Sequence, residues 1–223
     1  MHVSHALRTR ISTRAFLPEP VALEMVHEIL DTARWSPSGG NLQPWRVIAV
    51  SGEARQDAID AVAAALARNP RGEQGDYPMY PADLWEPYRT RRYQVGEDMY
   101  EKLDIPRSDR SARLARVAQN LQFFGAPVGL FFVIDRRMGH GQWAHLGMFM
   151  QSVALAAMDR GVATCMQEAW AQGRDTLHAH FGLPEHEVLY CGMALGYADP
   201  DAPVNTLRSA REPVEGFATF TGW

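Results

Sequence analysis

Cysteine is nearly absent from this 223-residue chain, which holds only Cys165 and Cys191. Two cysteines cannot build a disulfide scaffold, so a reducing, cytoplasmic setting is expected. Long apolar runs are also missing. The longest, Gly125 to Ile134, falls short of the roughly 20 residues that span a bilayer, so no membrane partner is expected. The opening residues, MHVSHALRTRISTR, lack the apolar core of a signal peptide. There is no excess of positive charge. A net charge of −4 and a pI near 6.1 argue against a nucleic-acid partner, which needs a basic surface. No G-x-S-x-G elbow, phosphate-binding P-loop, internal repeat or low-complexity tract occurs. His178 and His180 do not suggest a metal, because helical spacing of two sends the rings to different faces and no cluster completes a site. Cys165 lies in an apolar, strand-like stretch and reads as a buried core residue rather than a nucleophile.

What is present suits a globular α+β protein. Hydrophobic residues make up 46% and charged residues 22%, enough for a sizeable core in one large domain or two small ones. Val21 to Arg34 reads as an amphipathic helix, with Val21, Met25, Ile29 and Ala33 at spacing four. Trp45 to Ser51 reads as a strand. Arg55 to Arg68 reads as a helix ended by Asn69-Pro70. Ser108 to Phe124 reads as a helix capped by Ser108, and Gly129 to Ile134 as a strand covered on both faces. Trp143 to Arg160 is the most apolar helix, with Gly161 as terminator. Val162 to Gln167 and Val188 to Tyr197 read as strands around a short helix at Arg174 to Phe181. The closing stretch from Val204 has no period. It ends in Phe217, Phe220 and Trp223, an aromatic tail that a partner subunit would cover.

Between the helices at Arg55 to Arg68 and Ser108 to Phe124, residues 70 to 106 have another texture, with five prolines, three glycines and five tyrosines. Inserts of this length are lids or disordered loops, and the aromatic content favours a lid. A short helix is expected at Leu84 to Tyr93. On it Tyr88 would share a face with Arg91 and Arg92, and Arg89 with Arg92 and Tyr93. Such a face could stack an aromatic acceptor and pair its carboxylate or nitro group. The alternative is a solvated basic helix whose arginines pair with Glu86, Glu97 and Asp98.

Three further stretches carry chemistry. In Arg10-x-Ser12-x-Arg14-x-Phe16, alternating residues share a face if the segment is extended. Two guanidiniums around a hydroxyl suit a phosphate; a solvated strand with exposed arginines is the other reading. Arg211 matters only if the fold brings it beside them. The loop Ser36-Pro37-Ser38-Gly39-Gly40-Asn41-Leu42-Gln43-Pro44-Trp45 carries more polar, backbone-exposing chemistry than a connection needs. Gly139-His140-Gly141-Gln142-Trp143-Ala144 imitates a dinucleotide fingerprint. It starts too far beyond its strand, and Asp159, the would-be ribose acid, falls at a helix end.

The runs RTRISTRAF, SPSGGNLQPW and GVATCMQEAW, with the closing LGYADPDAP and SAREP, resemble the FMN-dependent nitroreductase family over nearly the whole chain. The insert PYRTRRYQVGEDMYEKLDIPR resembles the branch that includes nitrobenzoate reductases. The resemblance implies a single domain over 1–223 with a central, mostly antiparallel sheet flanked by helices, a lid-like insert, and a C-terminal arm crossing to a homodimer partner. It implies FMN as cofactor and NADH or NADPH as electron donor. The acceptor would be a small nitroaromatic, such as a nitrobenzoate, or a quinone-like molecule. Reductive dehalogenation, flavin cleavage or non-catalytic flavin sensing are alternatives on the same fold. By the same resemblance, Arg10, Ser12, Arg14 and Arg211 hold the FMN phosphate and ribityl end. Pro37, Ser38, Gly39, Asn41 and Gln43 reach the flavin held by the partner. Met166, Gln167, Glu168 and Ala169 occupy the segment beside the flavin edge, with Gln167 and Glu168 in the catalytic positions. Tyr88, Arg89, Arg92 and Tyr93 would meet the substrate. Relatives often carry lysine two residues before the last arginine. Ser209 stands there, which would leave the phosphate site less positive.

Overall fold

The computed structural model describes every residue from Met1 to Trp223. Strands β1 (Arg46–Ser51), β2 (Val128–Asp135), β3 (Ala163–Gln167) and β4 (Glu187–Gly196) form one sheet in the order β1-β2-β4-β3. All three pairings are antiparallel. Helices α1 (Val3–Thr9), α2 (Leu23–Ala33), α3 (Gly52–Arg68), α4 (Tyr88–Lys102), α5 (Arg110–Ala118), α6 (His140–Asp159) and α7 (Arg174–Phe181) surround it, giving an α+β architecture.

Central strand β2 is buried from Val128 to Ile134, as its unbroken apolar run requires. On one face, α2 and α6 cover Val128, Leu130, Phe132 and Ile134. On the other, Ile59 and Val62 of α3, Leu177 of α7 and the rings of Phe123 and Trp170 cover Phe131 and Val133. The α6 helix ends before Gly161, whose φ of 73° supplies the left-handed step.

One irregularity sets up the site. Phe132 pairs with Cys191, but the next residue, Val133, pairs with Leu189. Tyr190 is therefore the extra residue of a β-bulge. Below it Leu189 faces the Trp170 side, and above it Cys191, Met193 and Leu195 face α6. The bulged residue's carbonyl accepts a hydrogen bond from the Tyr77 hydroxyl of the insert.

Several element bounds differ from the sequence pattern. Regular helix after Ser108 stops at Ala118, and Asp109, not Ser108, is the cap, accepting from the Ala112 N–H at 2.9 Å. The chain then turns through Gln119–Gly125 with Phe123 and Phe124 at φ of 51° and 52°. Burial of both rings opposes the cost of that left-handed backbone; a continued helix would not seat them. The insert helix runs Tyr88–Lys102 rather than Leu84 to Tyr93. Pro87 occupies its N-cap, a position where a missing N–H does no harm. Helix α1 has no counterpart in the sequence pattern.

Glycines make room for the aromatic cluster. A Cβ on Gly129 would overlap the Phe123 ring, and one on Gly192 would overlap Trp170. Gly192→Ala should lower stability by roughly 1–3 kcal/mol through overpacking. For a chain of this size that is roughly 2–12 °C in Tm, at about 2–4 °C per kcal/mol. Thermal denaturation by circular dichroism checks it; an unchanged Tm would mean that Trp170 can shift freely.

Candidate functional site

The two ends of the chain meet beside the sheet. Residues 10 to 17 run extended along it: the Thr13 N–H donates to the Thr164 carbonyl at 3.0 Å, and the Leu17 N–H donates to Tyr197 at 2.9 Å. Asn205 staples the C-terminal segment to this strand-like run. Its Oδ1 accepts from the Arg14 N–H at 2.9 Å, and its Nδ2 donates to the Ala15 and Asp199 carbonyls, each at 2.9 Å. The staple places residues 207 to 211 opposite residues 8 to 14.

Between them lies a cavity of about 320 Å³ lined by Arg8, Arg10, Ser12, Arg14, Arg208 and Arg211, with Val95 of α4 forming part of the wall. Arg10, Ser12 and Arg14 do share one face, as extended backbone requires, and Thr13 is buried on the opposite one. Arg211 joins them from the far end of the chain. No carboxylate lines the cavity, and none of its five arginines is in an ion pair, whereas nine other arginines are. Arg10 is the most strained electrostatically. Burial, and then the Arg211 charge, lower its pKa, and its Nε is buried without a partner.

Neighbouring groups keep acid away and hold the backbone. Glu212 follows Arg211, yet its carboxylate pairs with Arg91 on α4. Arg116 of α5 is buried and donates to the Arg14 carbonyl at 2.9 Å. Because 21 of the 22 Lys and Arg residues are arginine, with Lys102 the one lysine, the cavity's charge does not titrate in any accessible pH range. Five guanidiniums with no carboxylate among them are a donor set suited to a compact anion.

The loop after α2 is elsewhere. It shares no hydrogen bond with the arginine cavity. Gly40, Asn41 and Gln43 have φ of 62°, 54° and 48°. The Ser38 hydroxyl accepts from the Gln43 N–H at 2.9 Å, and the Gly39 N–H meets His145 of α6 at 3.4 Å. Pro37, Gly39, Asn41 and Gln43 are exposed. Pro44 is buried and Trp45 stacks on Phe149 with centroids 4.6 Å apart, so the loop is anchored at its end and open at its tip.

At the end of β3 the alternation of the strand separates neighbours. Gln167 points inward, 2% exposed, and its amide donates to the Asn120 carbonyl at 2.6 Å. Met166 faces the α6 side. Glu168 and Ala169 begin a 3-10 turn and are half-buried. Burial raises the Glu168 carboxyl above the usual carboxylate range. Its charge in turn raises the phenols of Tyr77 and Tyr190, after their own burial. Those two rings stack at 5.2 Å, and Trp143 meets them edge-on. Burial raises the Cys165 thiol as well, consistent with a core role.

The insert is tied down at its root. Asp76, nearly buried, bridges Arg136 and Arg174, and Glu73 accepts from the Thr176 N–H at 3.0 Å. No periodicity signals these contacts, nor Asn205, Arg8, Arg208 or Arg116, because each partner is distant in sequence. Beyond the root, Arg89, Arg92 and Tyr93 line a second cavity with Tyr80, Trp85 and Glu97. Tyr88 does not line it; its ring packs edge-on against Trp85, with Arg91 above it. Arg89 pairs with Glu86 at 2.9 Å. Arg92 has no carboxylate partner and lies over Tyr80, 4.2 Å from the ring centroid. Val95 belongs to both cavities, so α4 is the wall between them.

Fold and site together define an α+β protein with a carboxylate-free, arginine-lined cavity at its joined ends. The chain matches the Nitroreductase family over residues 7–197 and belongs to that family. It is 38% identical to the nitrobenzene nitroreductase of Ectopseudomonas oleovorans, over 98% of this chain and 96% of that protein. It is 37% identical to the 4-nitrobenzoate reductase of Pseudomonas putida, over 96% and 93% respectively. Among solved structures, the FMN and NADPH-dependent nitroreductase NfnB of sphigopyxis sp. strain HMH superposes with a TM-score of 0.97 at 42% identity, each chain covered completely.

Glu168 yields a test. A carboxyl whose folded pKa is raised binds more protons folded than unfolded, so it destabilises the fold increasingly as pH rises from the unfolded value, about 4.3. Glu168→Gln should therefore raise Tm at neutral pH, and the gain should vanish as pH falls towards 4. Tm measured across pH 4–8 checks this; a gain independent of pH would contradict it.

Proposed function

We propose that this chain is an NAD(P)H-dependent, FMN-containing reductase of nitroaromatic or quinone-like acceptors, working as a cytoplasmic homodimer of single-domain subunits. The observation that carries the reading is the carboxylate-free cavity in which Arg10, Ser12 and Arg14 converge with Arg211. A phosphate monoester fits that donor set, and the orphaned Arg10 Nε is a buried donor in want of an acceptor. Relatives of matching length are named as nitroarene reductases, which supports this reading over dehalogenation, flavin cleavage or sensing. FMN, when bound, takes hydride from NADH or NADPH and passes electrons to the acceptor.

The chain's own residues bind and orient. Arg10, Arg14 and Arg211 hold the phosphate, with the Ser12 hydroxyl between them. The tip formed by Pro37, Ser38, Gly39, Asn41 and Gln43 reaches across to the flavin of the second subunit, where its left-handed backbone permits close approach to a flat ring. Met166, Glu168 and Ala169 lie against the flavin edge through their backbone. Gln167 keeps that segment in place from the core side. This division needs no acid–base dyad, in agreement with the absence of one from the motifs.

A second copy explains the exposed apolar residues. Trp35 is 78% and Phe217 71% exposed, along with Leu23, Leu42, Phe220 and Trp223. Single apolar residues at a surface are ordinary, but this many large ones mark an interface. The tail from Phe217 to Trp223 is the arm that crosses to the partner.

Arg14→Ala or Arg211→Ala should weaken FMN binding by about 1.5–3 kcal/mol, roughly tenfold or more, in fluorescence titration of apoprotein. The loaded protein should sediment as a dimer; a flavin-loaded monomer would overturn the assembly, and unchanged affinity in both variants the phosphate placement.

For the acceptor, Tyr88, Arg89, Arg92 and Tyr93 were the sequence candidates, and Arg92 is the one arginine among them left without a carboxylate. Arg92→Gln should raise KM for 4-nitrobenzoate about tenfold, the equivalent of one charged hydrogen bond. The KM for uncharged nitrobenzene and the reduction of FMN by NAD(P)H should hardly change. Equal effects on both nitroarenes would show that the insert shapes the site without reading charge.

A further inference from the structure

Five guanidiniums surround one cavity, but the paired motifs account for only three. Arg8 and Arg208 are the extra two. Their situations differ. Arg8 sits in the last turn of α1, where a cation is already offset by the carbonyl end of the helix. Arg208 has no such partner. Its Nη1 donates to the Asn205 and Leu207 carbonyls at 3.1 and 3.0 Å. Its Nε and Nη2 find no acceptor in the protein.

The same pattern recurs around the cavity. Arg14 is steadied by one bond from Nη1 to the Ser12 carbonyl. Arg211 is steadied through Nη1 by the Ser209 carbonyl and hydroxyl, at 3.0 and 2.6 Å, and by the Ala210 carbonyl. In each case one nitrogen is spent on the backbone, and the rest of the fork is free. Ser209 therefore orients a cation instead of supplying one, and the residue before it brings the charge.

We infer that Arg208 is a further phosphate-binding residue, carrying the positive charge that position 209 lacks, while Ser209 positions Arg211. This rests on the reading that the cavity takes the phosphate of FMN. It follows from the lining of the cavity and from the spacing of the segment. Asn205 fixes the chain three residues before Arg208 and six before Arg211, so both side chains project from one anchored run. It also follows from charge. A phosphate monoester carries close to two negative charges at neutral pH, and Arg10 and Arg211 repel each other. Arg208 is exposed at the rim, so water and salt screen its repulsion with Arg10 while its free donors remain open to the dianion.

The test is titration of apoprotein with FMN and with riboflavin, which lacks the phosphate. Arg208→Ala should weaken FMN binding about tenfold, the lower end of the range for a charged hydrogen bond, and leave riboflavin affinity unchanged. Arg208→Gln, which keeps the length of the side chain, should behave alike. Arg208→Lys, which keeps a cation at this position and leaves the Ser209 hydroxyl on Arg211, should bind FMN within about threefold of the parent. If Arg208→Ala binds FMN like the parent while Arg14→Ala does not, Arg208 is no ligand and the proposal falls, with the phosphate site intact. If Arg208→Ala weakens FMN and riboflavin equally, the side chain only braces the turn, and the proposal falls again. If Arg14→Ala and Arg208→Ala both bind FMN like the parent, the phosphate placement itself is wrong.

Discussion

Unbalanced positive charge at the meeting of the two chain ends is the constraint on which this structure turns. Five like charges in one cavity repel, and the fold has to hold them there. It does so with neutral groups. Asn205 staples the two segments, and main-chain carbonyls steady Arg14, Arg208 and Arg211. The acid nearest in sequence, Glu212, is drawn off by Arg91. A protein that kept this charge only for stability would have turned Glu212 inward. The buried Nε of Arg10, which has no partner in the protein, likewise makes sense when an anion completes the site.

The insert extends the same logic. Its root is locked by Asp76 and Glu73 onto the Arg136 and α7 side of the fold, and Tyr77 bonds to the bulged Tyr190. Its helix α4 is amphipathic in a different sense, with no buried residue. One flank touches the arginine cavity through Val95 and holds Glu212 through Arg91. The other lines a cavity walled by Tyr80, Trp85 and Tyr93. The insert is thus in direct contact with the C-terminal segment that carries Arg211. Glu168, Tyr77 and Tyr190 form the third corner. There Tyr77 of the insert stacks on Tyr190, and the Glu168 charge adds to burial in raising both phenols.

Much of the fold was readable because its signals are local. The unbroken apolar run of β2, the apolar α6 with Gly161 behind it, and the short α7 at Arg174–Phe181 follow from side chains within one turn or one strand of each other. Extended pairing of Arg10, Ser12 and Arg14 was legible for the same reason. Reading failed where distant partners overrode local preference. Phe123 and Phe124 leave a helix that propensity would continue, because Gly129 and Trp170 offer their rings a buried seat. The insert helix starts four residues later than its pattern, because Pro87 caps it. Pairing with Glu86 was one of the two readings open for the insert arginines and holds for Arg89, whereas Glu212 on Arg91 comes from the far end of the chain.

The sequence by itself determined the α+β class, the order of the elements from α2 onward, the family resemblance and the residue types of the arginine cavity, since each rests on spacing within short stretches or on recognisable motifs. Tertiary structure decided which charges remain unpaired. That Arg211 stands beside Arg10 and Arg14, that Arg8 and Arg208 join them, and that Glu212 does not, depends on contacts spanning up to 191 positions between Arg14 and Asn205. Electrostatic energy depends on distance in space, and distance in space between the two ends of a chain is set only once the sheet between them has folded.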